Sequence, residues 1–183
     1  VYPGHKFVPF ASLGPEASAN CITILSPAKT FNIASCCSAF TVISDPARRA
    51  AFQAENSRLT VNKNNAFANV AMEAAFREGE PWLEAVIAYL RGNLSVVQEC
   101  IAALPGIQMV EPEATFLVWL DFRALGLAPD DLHLFLRRDA RWALTRGVSF
   151  GPEGAGFMRL NIACRRERLL AALEALTAAV RHT

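Results

Sequence analysis

Lys29 is the residue of this sequence best suited to nucleophilic chemistry. It follows an apolar segment, residues 21–25 (CITIL), and stands in a short loop with Ser26 three positions before it and Thr30 directly after. A primary amine at the end of a strand, once partly desolvated, favours its charged form less and can attack a carbonyl carbon. Small hydroxyls beside it can donate to a phosphate. A single loop lysine is equally a solvated surface cation, and these residues by themselves leave both readings open. Other reactive types are less organised. Cys21, Cys36, Cys37, Cys100 and Cys164 contain no CxxC pair, so neither a zinc site nor a disulfide framework is expected. The adjacent Cys36 and Cys37 are expected to be buried thiols, and a reducing cytoplasm is the compartment that suits them. His5, His133 and His182 lack metal-ligand spacing, and Glu111 and Glu113 flank a proline, so structural roles and no metal are expected.

The elements that must position Lys29 follow from turn residues and periodicity. Tyr2-Pro3-Gly4 is a turn, and Pro9 and Pro15 bracket more irregular backbone, so the chain opens as if taken from the middle of a larger fold. Residues 21–25 read as a short buried strand ended by Ser26-Pro27, and residues 38–43 (SAFTVI) as a second, closed by Ser44-Asp45-Pro46. From Asp45 to about Leu104 the pattern is helical. Asp45 suits an N-cap and Pro46 a first turn; residues 64–78 form a second helix stopped by Gly79; Pro81 starts a third, ended by Pro105-Gly106. Beyond it, residues 115–122 (TFLVWLDF) read as a strand. Asp130 and Asp131 open a helix through about Arg141, residues 157–164 (FMRLNIAC) form a strand, and residues 169–180 an amphipathic helix. Arg137, Arg138, Arg141 and Arg146 are expected on the solvated face of the helix that carries Leu132, Phe135 and Leu136 on its other side. The tail is a β–α–β–α lobe joined through the long helix of residues 81–104.

The loop SPAKTFNIA (26–34) closely resembles the pyridoxal-phosphate lysine motif of the class I/II aminotransferases, of fold type I. YPGHKFVPFASL (2–13), NNAFANVAMEAAFREGEPWLEAVIAYLRGN (64–93) and FMRLNIAC (157–164) resemble the branch that holds cystathionine β-lyase-like C–S lyases. The resemblance runs in register from end to end of the chain. It implies an α/β fold, the C-terminal part of such an enzyme. Residues 1–80 would be the end of the large cofactor domain, 81–104 the connecting helix and 105–183 the small domain. It implies pyridoxal 5′-phosphate as cofactor, with Lys29 joined to it covalently and Ser26 at its phosphate. Arg159 falls where the family binds the substrate α-carboxylate, and a guanidinium fork matches that group in shape and charge. Lys29 would then remove the α-proton, and a thiolate would leave from Cβ to give pyruvate and ammonia.

This sequence also departs from the family pattern. Ser35 stands where many members carry the Gly that lets backbone approach closely, and Arg165 where relatives usually have Pro. Cys37 replaces an Arg that grips the phosphate in the aminotransferases proper, which favours the lyase-like branch. A family subunit is longer than this chain. Its N-terminal half would add the aromatic ring stacked on the cofactor, glycine-rich phosphate contacts, and the Asp that pairs with the pyridinium nitrogen.

Composition limits the alternatives. Of 183 residues 52% are hydrophobic and 19% charged, which excludes intrinsic disorder, and 18 Lys+Arg against 17 Asp+Glu argue against broad nucleic-acid or membrane-surface binding. No apolar run reaches a membrane span, and the opening residues lack a secretory pattern. A mean hydropathy of +0.23 therefore points to a buried core or a subunit interface. The expected function is a cytoplasmic, homodimeric C–S lyase acting on an amino-acid substrate. An aminotransferase is the alternative, and a catalytically silent packing or dimerisation module is the alternative of another class.

Overall fold

Proline and glycine punctuation divides this chain into short strands and capped helices. The computed structural model describes residues 1–61, 63 and 65–181. His182 and position 64, the first residue of the expected second helix, lie outside the described residues. Two compact units result: Lys6–Val86, and Val1–His5 together with the chain from Ile87 onward.

Within Lys6–Val86, α1 (Pro15–Ala19) precedes a two-stranded antiparallel ribbon of β1 (Thr23–Leu25) and β2 (Phe40–Val42), with Thr23 opposite Val42 and Leu25 opposite Phe40. The strands are shorter than expected, and the first is not buried. Ile24 is 63% and Val42 50% exposed, because this ribbon has no further strand beside it among the described residues. α2 (Pro46–Arg58) starts as its residues dictate, with the Asp45 carboxylate accepting from the Arg48 N–H at 2.7 Å and Pro46 in the first turn. α3 (Ala66–Glu78) is capped by Asn65, which accepts from the Ala68 N–H at 2.7 Å, and it stops at Gly79. α4 (Glu80–Ala102) begins one residue before the expected proline.

The second unit is built on a four-stranded antiparallel sheet. Its strands are β3 (Gln108–Val110), β4 (Leu117–Asp121), β5 (Thr145–Arg146) and β6 (Phe157–Asn161), in the order β3-β4-β6-β5. α5 (Pro129–Arg138) lies between β4 and β5 in sequence, and α6 (Arg166–Arg181) follows β6. Strand alternation sends Val118, Leu120, Met158 and Leu160 to one face. That face is the core, and Leu132 and Leu136 of α5, Val97 and Ile101 of α4 and Leu173 and Leu176 of α6 are buried with it. Asn93 of α4, fully buried, ties the exit of β6: its Nδ2 donates to the carbonyls of Ile162 (2.9 Å) and Cys164 (3.0 Å), and its Oδ1 accepts from Arg166 Nε (3.0 Å).

Several expectations are corrected by this arrangement. The strand expected over 157–164 ends at Asn161, where the Asn161 side chain caps the Ala163 N–H and the chain turns toward α6. The helix expected to reach Arg141 ends at Arg138; Arg141 has φ +55°, and the Trp142 N–H closes back on the Leu136 carbonyl. Arg146 is not on that helix at all, but in β5, paired with Asp130. Cys37 is exposed and Cys36 only part-buried, because Cys36 ends a tight 3₁₀ turn and Cys37 caps it, so neither enters the core. The opening turn is anchored: the Tyr2 N–H donates to the Glu113 carbonyl at 2.8 Å, its hydroxyl to the Thr115 carbonyl, and His5 faces Glu113 at 3.7 Å.

Candidate functional site

The lysine loop leaves β1 at Ser26 and returns into β2. Pro27 is fully buried and anchors its base, while Lys29 itself is exposed in the turn. The Ser26 hydroxyl donates to the Ser38 carbonyl at 2.7 Å and accepts from the Ala28 N–H at 3.2 Å, so it closes the loop across its own neck. The Phe31 N–H donates to the Pro27 carbonyl and the Ile33 N–H to that of Ala28, winding residues 27–33 into a tight coil. Asn32 and Cys37 take left-handed backbone, at φ +55° and +49°. Ser35 is exposed within the 3₁₀ turn Ala34–Cys36.

Aromatic packing fixes where this loop sits. Phe31, two residues after Lys29, meets Phe76 edge-on at 5.9 Å and Trp82 at 6.3 Å, and Phe40 of β2 meets Phe76 at 5.9 Å. Gly79 makes this possible: a Cβ there would lie 2.6 Å from the Phe31 ring. The Lys29 amine has no ion-pair or hydrogen-bond partner among the described residues.

Arg159 belongs to the other unit, on the face of the sheet opposite its core. Trp119 of β4 and Thr145 of β5 are its register partners on either side. Arg159 is part-buried. Its Nη2 donates to Thr145 Oγ1 at 3.4 Å, and its Cζ lies over the Phe150 ring, 4.8 Å from the centroid. Among the described residues no carboxylate pairs with it. Trp119 stacks on Phe157 (5.6 Å) and takes Phe150 edge-on (5.7 Å), so the same face carries a short aromatic row. Asp121 ends that row. Its carboxyl is held below the usual carboxylate range chiefly by side-chain hydrogen bonds from Arg123.

Phe150 and Thr145 stand out little in the sequence. Their signal is faint: a Gly- and Pro-rich stretch, residues 147–156, with one aromatic in it. Gly147 and Gly154 are its reason. A Cβ on Gly147 would lie 2.2 Å from the Gly154 carbonyl, so two backbone segments touch there and fold the Phe150 turn back upon β6. Arg165 is exposed at the residue before α6, where its carbonyl accepts from the Leu169 N–H at 3.1 Å.

A chain with this lysine loop and this arginine-bearing sheet matches the family described as aminotransferase class I and II over residues 1–176, and belongs to it. It is 38% identical over 178 residues to the cystathionine β-lyase PatB of Bacillus subtilis (strain 168), covering 97% of this chain and 46% of that relative. The crystal structure of a PLP-bound protein from Clostridium difficile 630 superposes with a TM-score of 0.94 at 37% identity, over 98% of this chain and 47% of that one. Cystalysin from Treponema denticola, whose crystal structure contains pyridoxal 5′-phosphate, does so with a TM-score of 0.92 at 29% identity, over all of this chain and 46% of that one. This chain spans about half the length of the curated relatives it matches.

Proposed function

We propose that this chain supplies the lysine loop and the carboxylate-binding arginine of a pyridoxal-phosphate-dependent C–S lyase acting on an amino acid of the cystathionine type. The single observation that carries the reading is Arg159: a part-buried guanidinium without an acidic partner among the described residues, on a strand where a substrate carboxylate would complete it. Likeness to a cystathionine β-lyase over 97% of the chain supports the reaction class.

The residues present fit the cofactor. Lys29 offers an unpartnered amine for covalent attachment, and the Ser26 hydroxyl lies three residues away at the neck of the same loop. Its proton is given to the Ser38 carbonyl in this structure, so a phosphate contact from Ser26 requires that the hydroxyl rotate. Bound pyridoxal 5′-phosphate supplies an electron sink for the pair released at Cα. Lys29 Nζ takes the α-proton as general base, and Arg159 holds the carboxylate so that the substrate keeps one orientation throughout. The bond that breaks is Cβ–S. With one water consumed, L-cystathionine gives homocysteine, pyruvate and ammonia.

On this reading residues 1–80 are the end of a cofactor domain, 81–104 a connecting helix and 105–183 a small domain. The working enzyme is a cytoplasmic homodimer. Among the described residues no helix is long and apolar enough to cross a membrane, and no cluster of metal-binding side chains occurs. The test is incubation of the cofactor-loaded protein with L-cystathionine and, separately, with an amino acid plus an α-keto acid. Pyruvate and thiol in the first support the lyase. A new amino acid in the second, without pyruvate from the first, makes it an aminotransferase instead.

A further inference from the structure

We propose that Phe150 is the positioning residue for Arg159. Its ring holds the guanidinium by a cation–π contact and leaves the N–H fork free for the incoming carboxylate. The inference rests on the reading of Arg159 given above and adds to it the means by which that arginine is kept ready.

A part-buried guanidinium needs a counterpart, and the usual one is a carboxylate. A carboxylate partner would occupy the same in-plane N–H donors that a substrate carboxylate must use. An aromatic face satisfies the positive charge from above the plane and consumes no donor. Arg159 has the second kind of partner: its Cζ sits 4.8 Å from the Phe150 centroid, and its one hydrogen bond among the described residues, to Thr145 Oγ1, is long at 3.4 Å.

The same face supplies its own comparison. Arg123 also lies over a phenylalanine, 4.6 Å from the centroid of Phe157, but its fork is occupied by Asp121, with Nε at 3.0 Å from Oδ1 and Nη2 at 2.7 Å from Oδ2. One arginine is neutralised within the protein, and among the described residues the other is held by a ring and a hydroxyl. Phe150 is itself 56% exposed, so burial alone does not account for its place. It is held by its edge-on contact with Trp119 and by the close backbone approach of Gly147 to Gly154.

The experiment measures equilibrium binding of L-alanine and of ethylamine, which lacks the carboxylate, to the cofactor-loaded protein by calorimetry. Phe150→Leu keeps an apolar side chain and removes the ring; Phe150→Tyr keeps the ring. We expect Phe150→Leu to weaken L-alanine about two- to fivefold with ethylamine unchanged, and Phe150→Tyr to bind both as the parent does. In an Arg159→Ala background the leucine change should add nothing. Equal weakening of both probes, or a tyrosine variant as weak as the leucine one, overturns the inference, since a merely structural role would do that. Loss of L-alanine affinity in Arg159→Ala with none in Phe150→Leu overturns it while leaving the role of Arg159 standing. No loss in Arg159→Ala removes that role, and the inference with it.

Discussion

Lys29 and Tyr2 carry the predictions that belong to single residues. Lys29 has an amine free of partners among the described residues, so borohydride reduction of the cofactor-loaded protein should leave a pyridoxyl mass on the peptide that contains it. Lys29→Ala should abolish that adduct. A pyridoxyl group found on another lysine in the variant would remove Lys29 from its role. Tyr2 is buried at 8% exposure with its hydroxyl on the Thr115 carbonyl, and burial raises its phenol above the ordinary value. The unfolded chain therefore loses this proton first as pH rises. The stability Tyr2 contributes is whole below about pH 10 and declines as pH climbs through the higher folded value. Tyr2→Phe should flatten that alkaline decline in urea midpoints measured from pH 8 to 11. An unchanged slope would mean that another group sets it.

At the scale of elements, the joint between α4, β6 and α6 depends on one amide. Asn93 Nδ2 serves two carbonyls, Ile162 and Cys164, and its Oδ1 receives Arg166 Nε, while the Arg166 N–H donates to the Tyr89 hydroxyl at 2.7 Å. These bonds fix the chain three to seven residues past Arg159. Asn93→Leu keeps the volume and strands the carbonyls, which should cost about 2–4 kcal/mol, read as a lower urea midpoint with an unchanged denaturant slope. A loss below half a kilocalorie would show that water replaces the amide. The aromatic contacts of Phe31 do for the lysine loop what Asn93 does for β6: both hold the backbone of a candidate site residue through a neighbour on another element.

For the whole molecule the two units differ in how much of their apolar surface they hide. Among the described residues the unit containing the four-stranded sheet has almost all the buried core, whereas Lys6–Val86 contributes only Ile43 and Ala68 to the buried hydrophobic residues and exposes Phe7, Phe10, Ile24, Phe67 and Phe76. Its ribbon has, among the described residues, two strands and open edges. Exposed apolar surface of that extent is unusual for a protein that remains a monomer. The 183-residue chain by itself is therefore expected to associate, and hydrogen exchange should be fastest in Lys6–Val86 and slowest in the sheet unit. Light scattering during size exclusion tests the first point. A monodisperse monomer with uniformly slow exchange would show that this surface is better protected than its composition implies.

Much of this protein is written locally. Asp45-Pro46, the Gly79 stop and the Pro105-Gly106 end mark helices because caps and breakers act on backbone within a few residues, and α2, α3 and α4 lie where those signals put them. The resemblance of SPAKTFN and of FMRLN to a family of enzymes is likewise a property of short runs. Contacts between distant segments decided the rest. β3 and β5 are three and two residues long and exist only because β4 and β6 offer them partners, so no periodicity of their own announces them. The apolar residues of β1 predict burial, but burial depends on what lies alongside, and among the described residues β1 has β2 alone. The partner of Arg159 depends on a glycine pair folding residues 147–156 back over the strand. Spacing in the chain carries no measure of that approach, and only the folded backbone brings the Phe150 ring to the guanidinium.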